Sequence, residues 1–206
     1  MTVLLLHAFP LDERMWEPQL AASRGHDVVA PRLYGRGSSI DGWAEQLLRE
    51  VDGELDAVGV SMGGYTALAL ARRAPERVRS LVLVSTRPDA DSAARRRYRG
   101  ELIARLRAGL PIPNEAEGVS TAELVAATEA LRDRPDSSDV LAGFDGPVVV
   151  CVGDHDDLFS VDEARRAAEL APHGRLEVFE GAGHLLTLER PERFNVLLEE
   201  VVLPWR

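Results

Sequence analysis

Six short runs of mostly apolar residues, rich in valine and leucine, alternate along this chain with segments of helical character. The runs cover residues 3–6, 27–30, 55–60, 78–85, 147–152 and 175–180. Because most are nearly continuous in apolar character, they are typical of strands buried on both faces of a parallel sheet. The alternation of strand and helix predicts an α/β fold with right-handed crossovers.

The segments between these runs predict helices over residues 12–23, 41–51, 62–73, 161–170 and 191–202. The last helix has the clearest pattern, because Phe194, Leu197, Leu198 and Val201 follow one another at i, i+3, i+4 and i+7. That spacing makes one apolar stripe along the helix.

One interval interrupts the alternation between the fourth and fifth runs. It is polar and rich in arginine, carries helix-like pieces at residues 91–108 and 120–132, and is punctuated by Pro111, Pro113 and Pro135. A single crossover helix needs far fewer residues. We therefore predict a small helical cap over residues 87–145, inserted into a core formed by residues 1–86 and 146–206.

Composition and charge narrow the possible partners. The chain has 206 residues, 45% of them hydrophobic, which suits one domain with a sizeable core. A formal net charge of −10 argues against nucleic acid as the main partner. No apolar run approaches the roughly 20 residues of a membrane span, and the first run lacks the basic segment of a signal peptide. We expect a cytoplasmic protein without a membrane partner; the oligomeric state stays open.

The sequence Gly59-Val60-Ser61-Met62-Gly63 joins the third apolar run to a helical segment. A G-x-S-x-G sequence in this context is typical of a sharp strand-to-helix turn, which strains the serine and needs small residues two positions away. The free N–H groups at the start of the helix favour developing negative charge. We predict that Ser61 is a nucleophile; the alternative is a glycine-rich turn with a capping serine.

A serine hydroxyl needs a base within hydrogen-bond reach to act as a nucleophile at neutral pH. Among the five histidines, His184 is the best placed, because it follows the sixth run in a glycine-containing loop and precedes the last helix. His7 also ends a predicted strand, but we interpret it as a hydrogen-bonding residue that shapes its loop.

The base in turn needs a carboxylate that orients it and stabilises its charged form. The sequence VVVCVGDHDDLFS offers Asp154, Asp156 and Asp157 after the fifth run, and each could instead solvate a turn. A metal site in DHDD is disfavoured because no second set of ligands lies at a usable spacing elsewhere. We therefore expect no metal.

Five stretches of the chain together resemble the α/β-hydrolase superfamily. They read LLLHAFP, PRLYGRGSS, GVSMGGYTALALARRAPERVRSLVLVS, VVVCVGDHDDLFS and EGAGHLLTLERPERFN. The chain order of serine, aspartate and histidine is also that of the family. The resemblance implies a catalytic triad of Ser61, Asp156 and His184. It favours Asp156 because the family's acid commonly lies three residues after the glycine that ends its strand, here Gly153.

The resemblance further implies an oxyanion hole made by the backbone N–H groups of Phe9 and Met62. The family's first loop often reads H-G-x-P, and here Ala8 replaces the glycine. The implied fold is a minimal six-stranded, mainly parallel sheet with helices on both faces. The sheet would begin at the family's third strand, with the order 4-3-5-6-7-8 in the family's numbering. The implied chemistry needs no cofactor.

Two further segments, HAFPLDERMWEPQL and TRPDADSAARRRYRGELIARLRAGLP, more loosely resemble small carboxylesterases and hydrolases similar to 3-oxoadipate enol-lactonase. This branch implies a serine hydrolase that cleaves a small carboxylic ester or lactone through an acyl-enzyme. One alternative is lyase or C–C bond chemistry with the same triad, as in menaquinone-pathway synthases or hydroxynitrile lyases. Another is a binding protein without activity, which a complete triad disfavours.

The candidate wall of the substrate pocket consists of Phe9, Tyr34, Met62 and Leu185, for which core packing is the other interpretation. Arginine forks bind carboxylates well, so arginines of the cap could bind a small acidic acyl substrate. A solvated helix face is the other interpretation. These arginines are Arg87, Arg95, Arg96, Arg97, Arg99, Arg105 and Arg107.

Overall fold

The computed structural model describes residues 1–23 and 25–202, and its centre is a six-stranded sheet in which every strand pair is parallel. The order across the sheet is β2-β1-β3-β4-β5-β6, which is the predicted order. The expected six-stranded parallel sheet is therefore confirmed. The strands are β1 (Thr2–Leu6), β2 (Val28–Val29), β3 (Leu55–Val60), β4 (Val78–Val84), β5 (Val148–Gly153) and β6 (Gly174–Phe179).

Nine α-helices lie within the described ranges, and a 3₁₀ turn at Glu13–Trp16 precedes the first. The predicted helix over 12–23 is thus in two pieces, because Pro18 stands at the start of α1, where its missing N–H costs nothing. The helices are α1 (Glu17–Ala22), α2 (Ile40–Glu50), α3 (Met62–Arg73), α4 (Ala93–Arg107), α5 (Thr121–Asp133), α6 (Ser138–Ala142), α7 (Val161–Leu170), α8 (Leu186–Glu189) and α9 (Pro191–Val201). The short helices α6 and α8 were not predicted.

The edge strand β2 is shorter than the predicted run. Only Val28 and Val29 pair, opposite Val3 and Leu4 of β1. Pro31 follows closely and cannot donate a hydrogen bond to a neighbouring strand, so it limits the strand on that side.

Both faces of the sheet are buried, which explains the nearly continuous apolar runs. Neighbouring residues of a strand point to opposite faces, so Leu4 and Leu6 of β1 join one hydrophobic cluster and Leu5 joins the other. The first cluster includes residues of α2, α3 and α7, and the second includes Trp16 and Phe194. Each face therefore has its own covering layer of helices.

The helices of the predicted cap pack on each other and on the sheet's first cluster. Helices α4 and α5 are in contact, and Leu102, Leu106 and Leu131 belong to the same cluster as the strand residues below them. Both helices begin where a serine accepts a backbone hydrogen bond, Ser92 from Arg95 and Ser120 from Glu123. The boundaries of the cap stay a prediction.

The described part of the chain contains no helix that is long and apolar enough to cross a membrane.

Candidate active site

Ser61 stands at the sharp turn between β3 and α3. Its backbone has φ 51° and ψ −107°, a region that residues other than glycine rarely occupy. The turn brings its glycines against other main-chain atoms. A Cβ atom on Gly59 would overlap the backbone of Gly63, and one on Gly63 would overlap the carbonyl group of Leu6. The strained serine and the small neighbours expected from the G-x-S-x-G sequence are both present.

His184 lies in the loop after β6 and forms a pair with Asp156, which follows β5. The Nδ1 atom of His184 lies 3.0 Å from both carboxylate oxygens of Asp156. Because a carboxylate can only accept, Nδ1 carries the proton and Nε2 keeps a free lone pair. The loop is held by Glu189, whose carboxylate accepts from the N–H groups of Gly183 at 2.6 Å and Leu185 at 3.1 Å.

The carboxylate of Asp156 is fully buried and accepts several hydrogen bonds. Its Oδ1 atom accepts from the backbone N–H groups of Leu158 at 2.8 Å and Phe159 at 3.1 Å. Burial by itself raises the pKa of Asp156, but the hydrogen bond and charge of His184 together with the Leu158 N–H outweigh it, so the pKa lies below its usual value. The group is therefore ionised at neutral pH and can stabilise a charged imidazole.

Of the three candidate aspartates, the structure brings only Asp156 to His184. Asp154 is exposed and accepts from the N–H of Gly181 at 2.7 Å, so it shapes the histidine loop. Asp157 is exposed.

Two cavities meet at Ser61 and His184. The main cavity has a volume of about 510 Å³, and its apolar wall includes Phe9, Leu102 and Leu158. A side cavity of about 170 Å³ also contains Ser61 and His184 in its wall. Among the described residues no hydrogen bond joins the Ser61 hydroxyl to the His184 ring, an arrangement that often tightens only when substrate binds.

The backbone N–H groups of Phe9 and Met62 have no acceptor within residues 1–23 and 25–202. The N–H of Met62 is free because Met62 is the first residue of α3, where a helix has no partner for its donors. Phe9 lies in the loop after β1. Ala8, which stands where the family often has glycine, is buried there and directs its N–H to the sulfur of Met15 at 3.2 Å.

His7 ties this loop to the one after β2, as its interpretation as a loop-shaping residue predicted. Its Nδ1 lies 3.0 Å from the carbonyl oxygen of Ala8, and its Nε2 accepts from the N–H of Leu33 at 3.0 Å. Burial lowers the pKa of His7 to about 4, so the ring is neutral and Nδ1–H donates to Ala8.

The four predicted pocket residues lie in different places. Phe9 lines the main cavity. The side chain of Met62 is wholly buried in the first hydrophobic cluster, and Leu185 packs against the second. Tyr34 is buried beside the His7 ring at a centroid distance of 5.0 Å. A substrate contact by Tyr34, Met62 or Leu185 stays a prediction.

Sequence reasoning missed several residues of the main cavity wall. Tyr98 and Leu102 of α4 are four residues apart, which places them on one side of the helix, facing the cavity together with Arg105, one of the arginines already named as candidates. The sequence could have predicted this shared helix face from the spacing. Nothing local marked Leu131 or Leu158, which reach the cavity from α5 and from the loop after Asp156.

Comparison with known proteins agrees with this architecture. A family model described as the alpha/beta hydrolase family matches residues 3–196. A pimeloyl-[acyl-carrier protein] methyl ester esterase of Aromatoleum aromaticum is 30% identical, over 97% of this chain and 97% of that protein. A thermophilic esterase from Thermogutta terrifontis, solved with malate bound, superposes with a TM-score of 0.90 at 28% identity, over 97% of this chain and 88% of that one.

The enol-lactonase from Burkholderia xenovorans LB400 shares the fold, with a TM-score of 0.82 at 22% identity over 98% of this chain and 89% of that one. The expected resemblance to esterases is thereby confirmed, as is the expectation of an esterase-type enzyme, and the enol-lactonase shares the fold. The chain belongs to the alpha/beta hydrolase family.

Proposed function

We propose that this protein is a serine hydrolase that cleaves a small carboxylic ester or lactone through an acyl-enzyme, with Ser61, His184 and Asp156 as its triad. The observation that carries the proposal is the pairing of His184 with the buried carboxylate of Asp156, because His184 lines the same cavity as the strained Ser61. The free N–H groups of Phe9 and Met62 support it, because they provide two donors for an oxyanion.

In the first half of the reaction, the Oγ atom of Ser61 attacks the ester carbonyl carbon while Nε2 of His184 takes the hydroxyl proton. Asp156 stabilises the resulting imidazolium. The carbonyl oxygen becomes negatively charged and accepts hydrogen bonds from Phe9 and Met62, each of which lowers the barrier by about 3 kcal/mol.

The first half ends when the bond from the carbonyl carbon to the alcohol oxygen breaks and His184 gives its proton to the leaving alkoxide; the second half is hydrolysis of the acyl-enzyme. Water then attacks the acyl group on Ser61 while His184 takes a proton from that water. When the second tetrahedral intermediate collapses, the acid leaves and Ser61 regains its proton. None of these steps requires a cofactor.

The main cavity supports a small substrate. Its volume of about 510 Å³ falls in the range usual for small-molecule sites. Phe9, Leu102, Leu131 and Leu158 provide an apolar wall for an acyl chain. The similarity to a pimeloyl-[acyl-carrier protein] methyl ester esterase favours an ester substrate. A cytoplasmic location, without a nucleic-acid or membrane partner, is part of this proposal and rests on charge and sequence.

The test is turnover of short p-nitrophenyl esters together with labelling by a fluorophosphonate probe. Ser61→Ala should lower kcat by at least about a thousandfold and abolish labelling, because the nucleophile is lost. Ser38→Ala, at an exposed loop serine, is the matched control and should behave like the wild type. A wild-type protein that is neither active nor labelled would refute the acyl-enzyme mechanism. Full turnover of a substrate without an acyl group on Ser61, judged by mass spectrometry, would favour lyase or C–C bond chemistry.

A further inference from the structure

The side cavity places positive charge beside Ser61 in a chain whose net charge is −10. Besides Ser61 and His184, its wall contains Arg87, Arg95 and Arg99 of the cap, with one carboxylate, Asp91. These arginines are therefore not simply a solvated helix face.

Asp91 does not neutralise this cluster by itself, because two guanidinium groups share it. Its Oδ1 lies 2.6 Å from Nη1 of Arg134, and its Oδ2 lies 3.3 Å from Nε of Arg99. Arg134 is almost fully buried, lies over the ring of Tyr65 at 3.9 Å, and donates to the carbonyl oxygen of Leu131 at 2.9 Å. The guanidinium group of Arg134 is thus occupied by contacts within the protein, which stabilise the position of the cap.

Arg99 differs from Arg134 because only one nitrogen of its guanidinium group donates a hydrogen bond within the described residues. Its Nε atom donates to Asp91, while the two terminal nitrogens have no partner among the described residues. The side chain lies in the walls of both the main and the side cavity. A guanidinium held at Nε with both Nη groups open is oriented to bind a carboxylate with two parallel hydrogen bonds.

The other two arginines differ in how much of their charge is available. Arg87 donates to the carbonyl oxygen of Leu158 and lies 3.5 Å from Glu163. Arg95 lies 3.8 Å from the same carboxylate oxygen of Glu163, and its side chain is 39% exposed. A pair at that distance and exposure is weak. The available positive charge of the cavity is therefore that of Arg99 and Arg95.

We infer that the side cavity binds a carboxylate of the substrate. The substrate is then an ester or lactone whose acyl part carries a second, free carboxylate, held by Arg99 with Arg95 beside it. The inference rests on the proposed function and names its substrate class. Because the acyl part stays on Ser61 after the alcohol leaves, this contact would hold the substrate through both halves of the reaction.

Two esters of the same chain length test this inference: mono-p-nitrophenyl adipate, which ends in a carboxylate, and p-nitrophenyl hexanoate, which ends in a methyl group. The wild type should favour the adipate ester in kcat/KM by about tenfold or more, because hydrogen bonds to charged groups contribute that much. Arg99→Gln should lower this preference at least about tenfold, mainly through KM. Arg95→Gln should lower it less.

Arg97→Gln is the matched control, because Arg97 is exposed on the same helix and lies in neither cavity wall. It should keep the wild-type preference. Arg99→Lys retains the charge without the fork and should restore the preference only in part. Free adipate should inhibit hexanoate hydrolysis competitively, and more weakly in Arg99→Gln. Circular dichroism spectra should show that all the variants are folded.

Some outcomes would overturn the carboxylate site alone. A wild type that hydrolyses the hexanoate ester and is labelled by fluorophosphonate, but does not prefer the adipate ester, would leave the serine-hydrolase proposal standing. An equal loss of preference for the adipate ester in Arg99→Gln and Arg97→Gln would also overturn the carboxylate site and leave the serine-hydrolase proposal standing. A wild type that hydrolyses neither ester and is not labelled would overturn both proposals.

Discussion

Replacing His7 with glutamine should remove a pH-dependent part of the free energy of unfolding. The His7 side chain is fully buried, and its Nε2 can accept from the N–H of Leu33 only when the ring is neutral. Burial accordingly lowers the pKa of His7 from the ordinary 6.5 to about 4. Protonation of His7 must therefore destabilise the folded state.

The sign and size of the change in the free energy of unfolding follow from how many protons the folded and unfolded chains bind at His7. Between pH 6.5 and about pH 4 the unfolded chain binds a proton at His7 and the folded chain does not. The stabilisation is therefore complete above pH 6.5 and is lost as the pH falls toward 4. At about 1.4 kcal/mol for each pKa unit, the full loss is about 3 kcal/mol, of which about 2 kcal/mol should be reached by about pH 5.

Urea unfolding, followed by circular dichroism at several values between about pH 5 and about pH 8, measures this effect. At the upper end His7→Gln should be less stable than the wild type by about 1–3 kcal/mol, because the hydrogen bonds of the ring are disrupted. Toward about pH 5 the difference should shrink by about 2 kcal/mol. His173→Gln, at an exposed histidine, is the control and should follow the wild type.

A parallel loss of stability in the wild type and in His7→Gln across this range would refute the reasoning. It would mean that His7 does not exclude a proton in the folded protein. The hydrogen bonds assigned to its two ring nitrogens would then be wrong, and with them the explanation of how the Phe9 loop is held.

Three further predictions concern the turn, the core and the acid. Gly64→Ala should lower stability by about 1–3 kcal/mol in thermal unfolding, because its Cβ atom would overlap the side chain of Thr86, whereas Gly100→Ala meets open space and should not. Phe194→Ala should cost about 3–5 kcal/mol in urea unfolding, because the ring is fully buried between two other aromatic rings. Asp156→Asn should lower kcat about 10⁴-fold in the ester assay, and retention of more than about a tenth of the activity would show that another group is the acid.

Some elements were predictable to the residue and others were not. Strand β3 and helix α3 match the predicted ranges because a continuous apolar run, a glycine-rich turn and a helical pattern follow one another without interruption. The helices α6 and α8 have five and four residues, too few to show a helical period. Such short helices form where packing on neighbouring elements stabilises them, and α6 lies against α3 and α7.

The sequence by itself determined the sheet, its strand order through the family resemblance, and the strained turn at Ser61. The strands and the turn depend on local constraints: apolar runs that must be buried, and glycines where a Cβ atom does not fit. The family resemblance favoured Asp156, but only the tertiary structure shows that, of the three neighbouring aspartates, this one reaches His184. Only the tertiary structure decided which arginines of the cap face Ser61. Those contacts join residues far apart in the chain, and one step along a loop or helix turns a side chain in another direction. Local sequence therefore could not select among neighbouring residues of the same type.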